Sequence, residues 1–301
     1  MATALALTLA LAGCGAPAAE VSLSDKPAWT AGTKVSYLGP AGTYTEEATH
    51  FFFDGTGTFF PKETVEDAIA DVVNGAADYA VIPQENTIGG AVTNYVDALL
   101  ATDGVYVVGE VILPISQTLL GVPGAAITDI RTVCSHAQGI KQSERWRAEH
   151  MPDAVTEEMS STAAAASYVA EQGDKSIAAI AAPAAAELYG LDVLAENVQI
   201  TDANKTRFYV LSATPLANGE NRRAVFVANC EANRIDDIIV TIHNAGLELV
   251  TIHDRPDGSA LGSYHYIIET ENINGVTQKQ ISAVCKYTEV QFRGSYDTTE
   301  K

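Results

Sequence analysis

The sequence predicts an α/β protein: a two-lobed part followed by a smaller C-terminal domain on the ferredoxin-like βαββαβ plan. Three observations carry this expectation. Over residues 34–212, short strand-like runs alternate with helical stretches of about 10–15 residues, the pattern of mostly parallel sheets. Val105–Pro114 and Ser116–Val122 follow one another with no helix between them, and there the chain is expected to cross from one lobe to the other. After a Pro/Gly/Asn linker at 213–221, the order becomes βαββαβ over 222–296, ~75 residues and long enough for a domain of its own.

Lys34–Leu38 is the first strand, and Gly39-Pro40-Ala41-Gly42 is a tight turn. Thr43 stands three residues before Glu46, a capping-box spacing that opens a helix to about Phe53. Glu63–Asn74 carries Val65, Ile69 and Val72 on one helical face and stops at Gly75. Tyr79–Ile82 is a buried strand, and Ala91–Ala101 a helix. In the second lobe, Arg131–Cys134, Ala154–Met159 and Ile177–Ala181 are strands. Helices follow them at Ser135–His150, at Ser160–Gln172 and from Pro183, where proline suits the first turn, to just before Gly190. Asp202–Phe208 is a turn leading into the strand Phe208–Leu211. Its Thr206-Arg207 pair, a hydroxyl next to a guanidinium, is either an ordinary turn surface or a grip for an anionic ligand. In the C-terminal part, strands at 224–229, 247–252, 263–269 and 290–293 enclose helices at 235–244 and 277–287.

A net charge of −20, from 38 acidic and 18 basic residues, excludes the basic stripes that nucleic acid requires. It leaves room for a small anionic ligand, because helix N-termini and single arginines act locally. Four strand-to-helix turns carry small polar residues: Thr43-Tyr44-Thr45, Glu85-Asn86-Thr87, Ser135-His136-Ala137-Gln138 and Ser160-Ser161-Thr162. Each alone is an N-cap. Together with Thr206-Arg207, they point to a cleft binding a carboxylate-rich small molecule through N–H groups and hydroxyls.

The first 33 residues stand apart from the folded part. Ala2–Ala12 is apolar but short for a membrane span, and it runs into Leu11-Ala12-Gly13-Cys14. This resembles a lipoprotein signal with Cys14 as the lipidated residue, although the basic start of a signal peptide is missing. The expectation is an exported protein anchored to the membrane only through lipid at Cys14; the alternative is a cytoplasmic protein with an N-terminal extension. Cys134, Cys230 and Cys285 have no metal-ligand spacing, and three cannot all pair. Cys134 and Cys230 lie in strand-like runs and are read as buried hydrophobes.

The ordered motifs resemble those of prephenate dehydratases that carry a C-terminal ACT domain. Tyr37–Thr45 is similar to the family's N-terminal motif, and Pro83–Gly90 to its Pro-Ile-Glu-Asn-Ser-Ile-Glu-Gly motif. Ser135–Gln138 resembles Ser-His-Pro-Gln, Ser161-Thr162-Ala163 resembles Ser/Asn-Thr-Ala, and Thr206-Arg207-Phe208 matches Thr-Arg-Phe. The resemblance implies a two-lobed architecture like that of periplasmic solute-binding proteins. It also implies conversion of prephenate, or its amino form arogenate, to an aromatic product without metal or other cofactor. Thr206 is implied as the catalytic hydrogen-bond donor to the departing hydroxyl. Arg207 becomes the carboxylate partner or a brace for the loop. Thr43, Asn86, Thr87, Gln138, Ser161, Thr162 and Phe208 surround the substrate. Glu85 is expected to orient its neighbours or cap a helix, and His136 to be structural.

Departures qualify the regulatory part. Gly89 and Ala137 replace the motif's Glu and Pro. In the C-terminal domain only Arg255-Pro256 remains of Glu-Ser-Arg-Pro, and Asn233–Asp237 stands where Gly-Ala-Leu is usual. Phenylalanine is therefore not expected to act as an effector, and the domain is expected to serve assembly into a homodimer or homotetramer. The second reading of the whole chain is an exported, non-catalytic solute-binding lipoprotein derived from the same fold.

Overall fold

The computed structural model describes residues 29–216 and 221–301, together with the short antiparallel pair Thr8–Leu9 and Val21–Ser22. Cys14 and the 217–220 part of the linker lie outside the described residues.

Lobe I opens with β1 (Lys34–Leu38), α1 (Tyr44–Phe52), β2 (Thr58–Lys62), α2 (Val65–Val73), β3 (Tyr79–Asn86), α3 (Thr93–Ala101) and β4 (Tyr106–Pro114). The chain then builds lobe II with β5 (Thr118–Gly121), β6 (Thr132–Ser135), α4 (Ala137–Gln142), α5 (Glu144–His150) and β7 (Val155–Glu158). Lobe II is completed by α6 (Thr162–Gln172), β8 (Ile177–Ala181), α7 (Ala184–Tyr189) and β9 (Asp192–Ala195). β10 (Lys205–Ser212) returns to the middle of the lobe I sheet, between β3 and β4.

Both sheets are mixed, which corrects the expectation of mostly parallel ones. β10 runs antiparallel to β3 and β4, and β5 runs antiparallel to β8 and β9. The reason is topological. A strand that arrives from the other lobe enters the sheet from the cleft end, opposite to strands delivered by helical crossovers. The sequence reading also missed β2, whose Pro61 demotes the run; it is an edge strand, where proline is tolerated. It missed the exposed β9 as well. The single helix expected at 135–150 is broken at Ser143, whose hydroxyl donates to Gly139 O at 2.8 Å.

The C-terminal domain comprises β11 (Arg223–Glu231), α8 (Ile235–Asn244), β12 (Glu248–Pro256), β13 (Ser263–Glu271), α9 (Gln278–Val284) and β14 (Val290–Tyr296). Its sheet is antiparallel in the order β12-β13-β11-β14. One sheet face packs on α8 and α9 through Phe226, Ile238, Ile242, Ile268 and Val284. The other face packs on lobe I: Val225, Val227, Ile267 and Tyr296 share one apolar core with Tyr95, Leu99, Tyr209 and Leu211. The approach is close enough to require glycine. Gly294 sits at φ +127°, and a Cβ there would lie 2.1 Å from Val107 O. After β14 the chain adds β15 (Thr298–Glu300) to the lobe I sheet, parallel to β4.

Candidate active site

The cleft lies at the carboxyl ends of β1, β3 and β6, where an open α/β sheet places its ligands. Its cavity of ≈ 270 Å³ is lined from lobe I by Thr43, Tyr44, Thr45, Pro83, Asn86, Asn204, Thr206 and Phe208, and from lobe II by His136, Gln138, Gln142, Ser161 and Thr162. No Lys, Arg, Asp or Glu lines it among the described residues. Polar character comes from amides, hydroxyls and helix N-termini. Thr43 caps α1, its Oγ1 accepting from Glu46 N at 3.3 Å, and Ser161 caps α6, its Oγ accepting from Ala164 N at 2.9 Å. Each cap uses one N–H, leaving others of the first turn free for an anion. The Glu46 carboxylate bonds Gly42 N at 2.6 Å and accepts from Tyr37 Oη at 2.6 Å, so it anchors the 39–42 turn and does not close a capping box.

Asn86 is the most constrained polar side chain in the cleft. Its Oδ1 accepts from Ile88 N at 3.0 Å, Gly89 N at 2.9 Å and Gln138 Nε2 at 2.9 Å. Two backbone donors fix which amide atom is oxygen. Nδ2 therefore points at β10, where it donates to Asn204 Oδ1 at 2.7 Å and Thr206 Oγ1 at 2.9 Å. Asn204 passes the sequence on by donating from Nδ2 to Gln142 Oε1 at 3.1 Å, which also accepts from Gln117 Nε2 at 3.3 Å. A chain of neutral amides thus joins the lobes beneath the cleft. Tyr44 Oη to Ser116 O, and Tyr189 Oη to Ala41 O at 2.9 Å, tie the lobes as well.

Sequence reasoning missed Gln117, Asn204 and Gln142. The last two were detectable: Gln142 stands four residues after Gln138 on one helix face, and Asn204 lies two residues before Thr206 at the entry to β10. His136 lines the cleft and caps α4, its Nδ1 accepting from Gln138 N at 3.3 Å, which leaves the ring proton on Nε2.

Two of the expected site residues lie elsewhere. Arg207 is a correction: strand alternation puts Thr206 and Phe208 in the cleft and Arg207 on the opposite face. There its guanidinium meets Glu85 at 3.0 Å, and it also pairs with Glu110 and Glu269. Burial lowers its ionisation, but the Glu269 and Glu110 carboxylates outweigh that and hold it firmly protonated. Glu85 is accordingly a brace for Arg207. Thr87 is a strut that points away from the cleft: its Oγ1 donates to Ala203 O at 3.0 Å and accepts from Lys205 N at 3.0 Å. Arg255 forms a forked pair with Asp97 of α3, at 2.5 and 2.8 Å. Among the described residues, no group of three or more His, Cys, Asp or Glu is placed to hold a metal ion.

Residues 35–215, which include every cleft element described above, match the sequence profile of the prephenate dehydratases. The chain belongs to the prephenate dehydratase family. It is 34% identical to the bifunctional chorismate mutase/prephenate dehydratase of Neisseria gonorrhoeae over 79% of this chain and 66% of that protein. The chain spans about two thirds of the length of the bifunctional relatives it matches (66%, 65% and 64%). It is 32% identical to the prephenate dehydratase of Amycolatopsis methanolica over 79% of each chain. The crystal structure of the prephenate dehydratase of Arthrobacter aurescens in complex with L-Phe has a TM-score of 0.78 at 29% identity, covering 87% of this chain and 89% of that one. The non-catalytic solute-binding reading is not favoured, since the matching family model and the named relatives are prephenate dehydratases.

Proposed function

We propose that the cleft converts prephenate to phenylpyruvate, a carbon–oxygen lyase step of L-phenylalanine biosynthesis. Prephenate is a dianion with both carboxylates at one end of its ring and a hydroxyl at the other. The uncharged cleft would hold the carboxylates on the free N–H groups of α1 and α6, with Gln138, Ser161 and Thr162 around them. The single observation that carries the assignment is the hydrogen bond from Asn86 Nδ2 to Thr206 Oγ1. With that oxygen accepting, the threonine proton is free to be donated to the substrate hydroxyl.

In the reaction the C1–carboxylate bond breaks and releases carbon dioxide. Its electron pair enters the ring, and the C4–oxygen bond breaks with the oxygen taking the pair. One proton, ultimately from solvent, completes water. Thr206 strengthens its hydrogen bond as charge gathers on the leaving oxygen, and Asn86 supports the charge this places on Oγ1, an oxyanion-hole type of assistance. Aromatisation supplies the driving force, so positioning and this donor suffice. The test is phenylpyruvate formation from prephenate by the wild-type protein beside Thr206→Val; no turnover by the wild type overturns the proposal.

The homodimer or homotetramer is assigned to β12, an edge strand exposing Leu249 and Val250, and light scattering of the purified protein tests it. Phenylalanine is not assigned as an effector, because Gly-Ala-Leu is absent and Arg255 is taken by Asp97. Strong inhibition by phenylalanine overturns this. Lipid anchoring rests on Leu11-Ala12-Gly13-Cys14 alone, and the mass of the mature N-terminus tests it.

A further inference from the structure

β3 and β10 face each other with Thr206 opposite Asn86 and Arg207 opposite Glu85, but Phe208 is opposite Pro83. Gln84 is the extra residue of a bulge, one step from the Asn86–Thr206 pair. Bulges beside active sites re-aim side chains, so a group that fixes the extra residue acts on the geometry of the site. Here the fixing group comes from another domain. Glu269, on β13 of the C-terminal domain, is fully buried. Its Oε1 accepts from Gln84 Nε2 at 2.6 Å, while its Oε2 pairs with Arg207 and accepts from Tyr296 Oη at 3.3 Å. One carboxylate thus spans the bulge, holding the residue two before Asn86 on one strand and the residue after Thr206 on the other.

We propose that Glu269 is a positioning residue for the Asn86–Thr206 hydrogen bond, so that the C-terminal domain completes the active site from behind without touching substrate. A buried ionic cluster adds little net stability over apolar filling, which leaves geometry as the role proposed for this one. β15 reinforces the arrangement: Thr298 Oγ1 donates to Glu110 Oε2 at 2.6 Å, and Glu110 Oε1 accepts from Arg207 Nε at 2.7 Å. The inference rests on the dehydration reading of the cleft.

The test is a double-mutant cycle at saturating prephenate with Glu269→Gln and Thr206→Val. Glu269→Gln keeps the shape but cannot accept from both Gln84 and Arg207. The expected result is a kcat lowered ~10–100-fold with KM nearly unchanged, as for a misplaced catalytic group. In the Thr206→Val background the same change has no further effect, because the group being positioned is gone. If Glu269→Gln does not fold, Gln84→Met, which removes the tie at the bulge together with the 3.4 Å contact to His253 Nε2, is read in the same cycle. An unchanged kcat, or equal losses in both backgrounds, overturns the inference. A wild-type protein that makes no phenylpyruvate overturns the dehydration reading with it, so the two failures are distinguishable.

Discussion

Asn86 donates from Nδ2 to Thr206 Oγ1 at 2.9 Å across the antiparallel β3–β10 pair, and its amide orientation is set by Ile88 N and Gly89 N on its oxygen. In the proposed reaction this pair directs the hydroxyl proton of Thr206 toward the substrate. Thr206→Val removes that donor at nearly constant shape, and kcat is expected to fall ~100–1,000-fold, equivalent to about 2.7–4 kcal/mol. Thr206→Ser keeps the hydroxyl and retains most of the rate. Steady-state phenylpyruvate formation measures both.

Asn86→Asp is expected to be as damaging as losing the threonine. A carboxylate cannot donate to Oγ1, so the threonine proton turns toward it, and a new negative charge faces a dianion. Both kcat and the affinity for prephenate fall, and equal kinetics for wild type and variant would refute the orientation given to Asn86.

Arg207→Met is a stability variant. Glu110 and Glu269 are fully buried and Arg207 is 16% exposed, so its loss leaves buried carboxylates without their cation. The expected cost is about 3–5 kcal/mol, measured by denaturant unfolding. Arg207→Lys recovers only part of it, because an ammonium cannot fork to three carboxylates at once.

His136→Asn preserves the cap on α4, since the asparagine oxygen can accept from Gln138 N. If the cap is its whole role, kcat stays within about threefold of wild type across pH 5–9. A large loss would make the Nε2 proton part of the chemistry.

The buried Cys134 and the partly buried Cys285 set an alkaline limit. Burial, aided by Glu157, pushes Cys134 up to about 11, and burial pushes Cys285 up to about 12, from an ordinary 9.0. A raised value favours the protonated fold. That stability is complete below about pH 9 and is lost as pH rises toward 11 and 12. Cys134→Ala is therefore expected to lose less Tm between pH 8 and 10 than the wild type does.

Much of this protein is legible in its sequence, because local chemistry repeats along it. A hydrophobic face marks α2, apolar runs mark β1 and β8, and a polar opening before an Ala-rich run marks α6. The C-terminal βαββαβ order, read from strand and helix runs alone, is the observed one. Polar turns at Thr43, Asn86, Gln138 and Ser161 identify cleft residues, because a chain that alternates strands and helices brings those turns to one edge of the sheet. Tertiary structure alone decides which way β10 runs, since direction depends on where the chain returns from lobe II. That direction and the strand's alternation send Thr206 into the cleft and Arg207 to the far side, a separation invisible in the adjacent letters Thr-Arg-Phe. The partners of Arg207 are likewise beyond the sequence: Glu85, Glu110 and Glu269 lie 122, 97 and 62 residues away and meet only when three segments pack around one guanidinium.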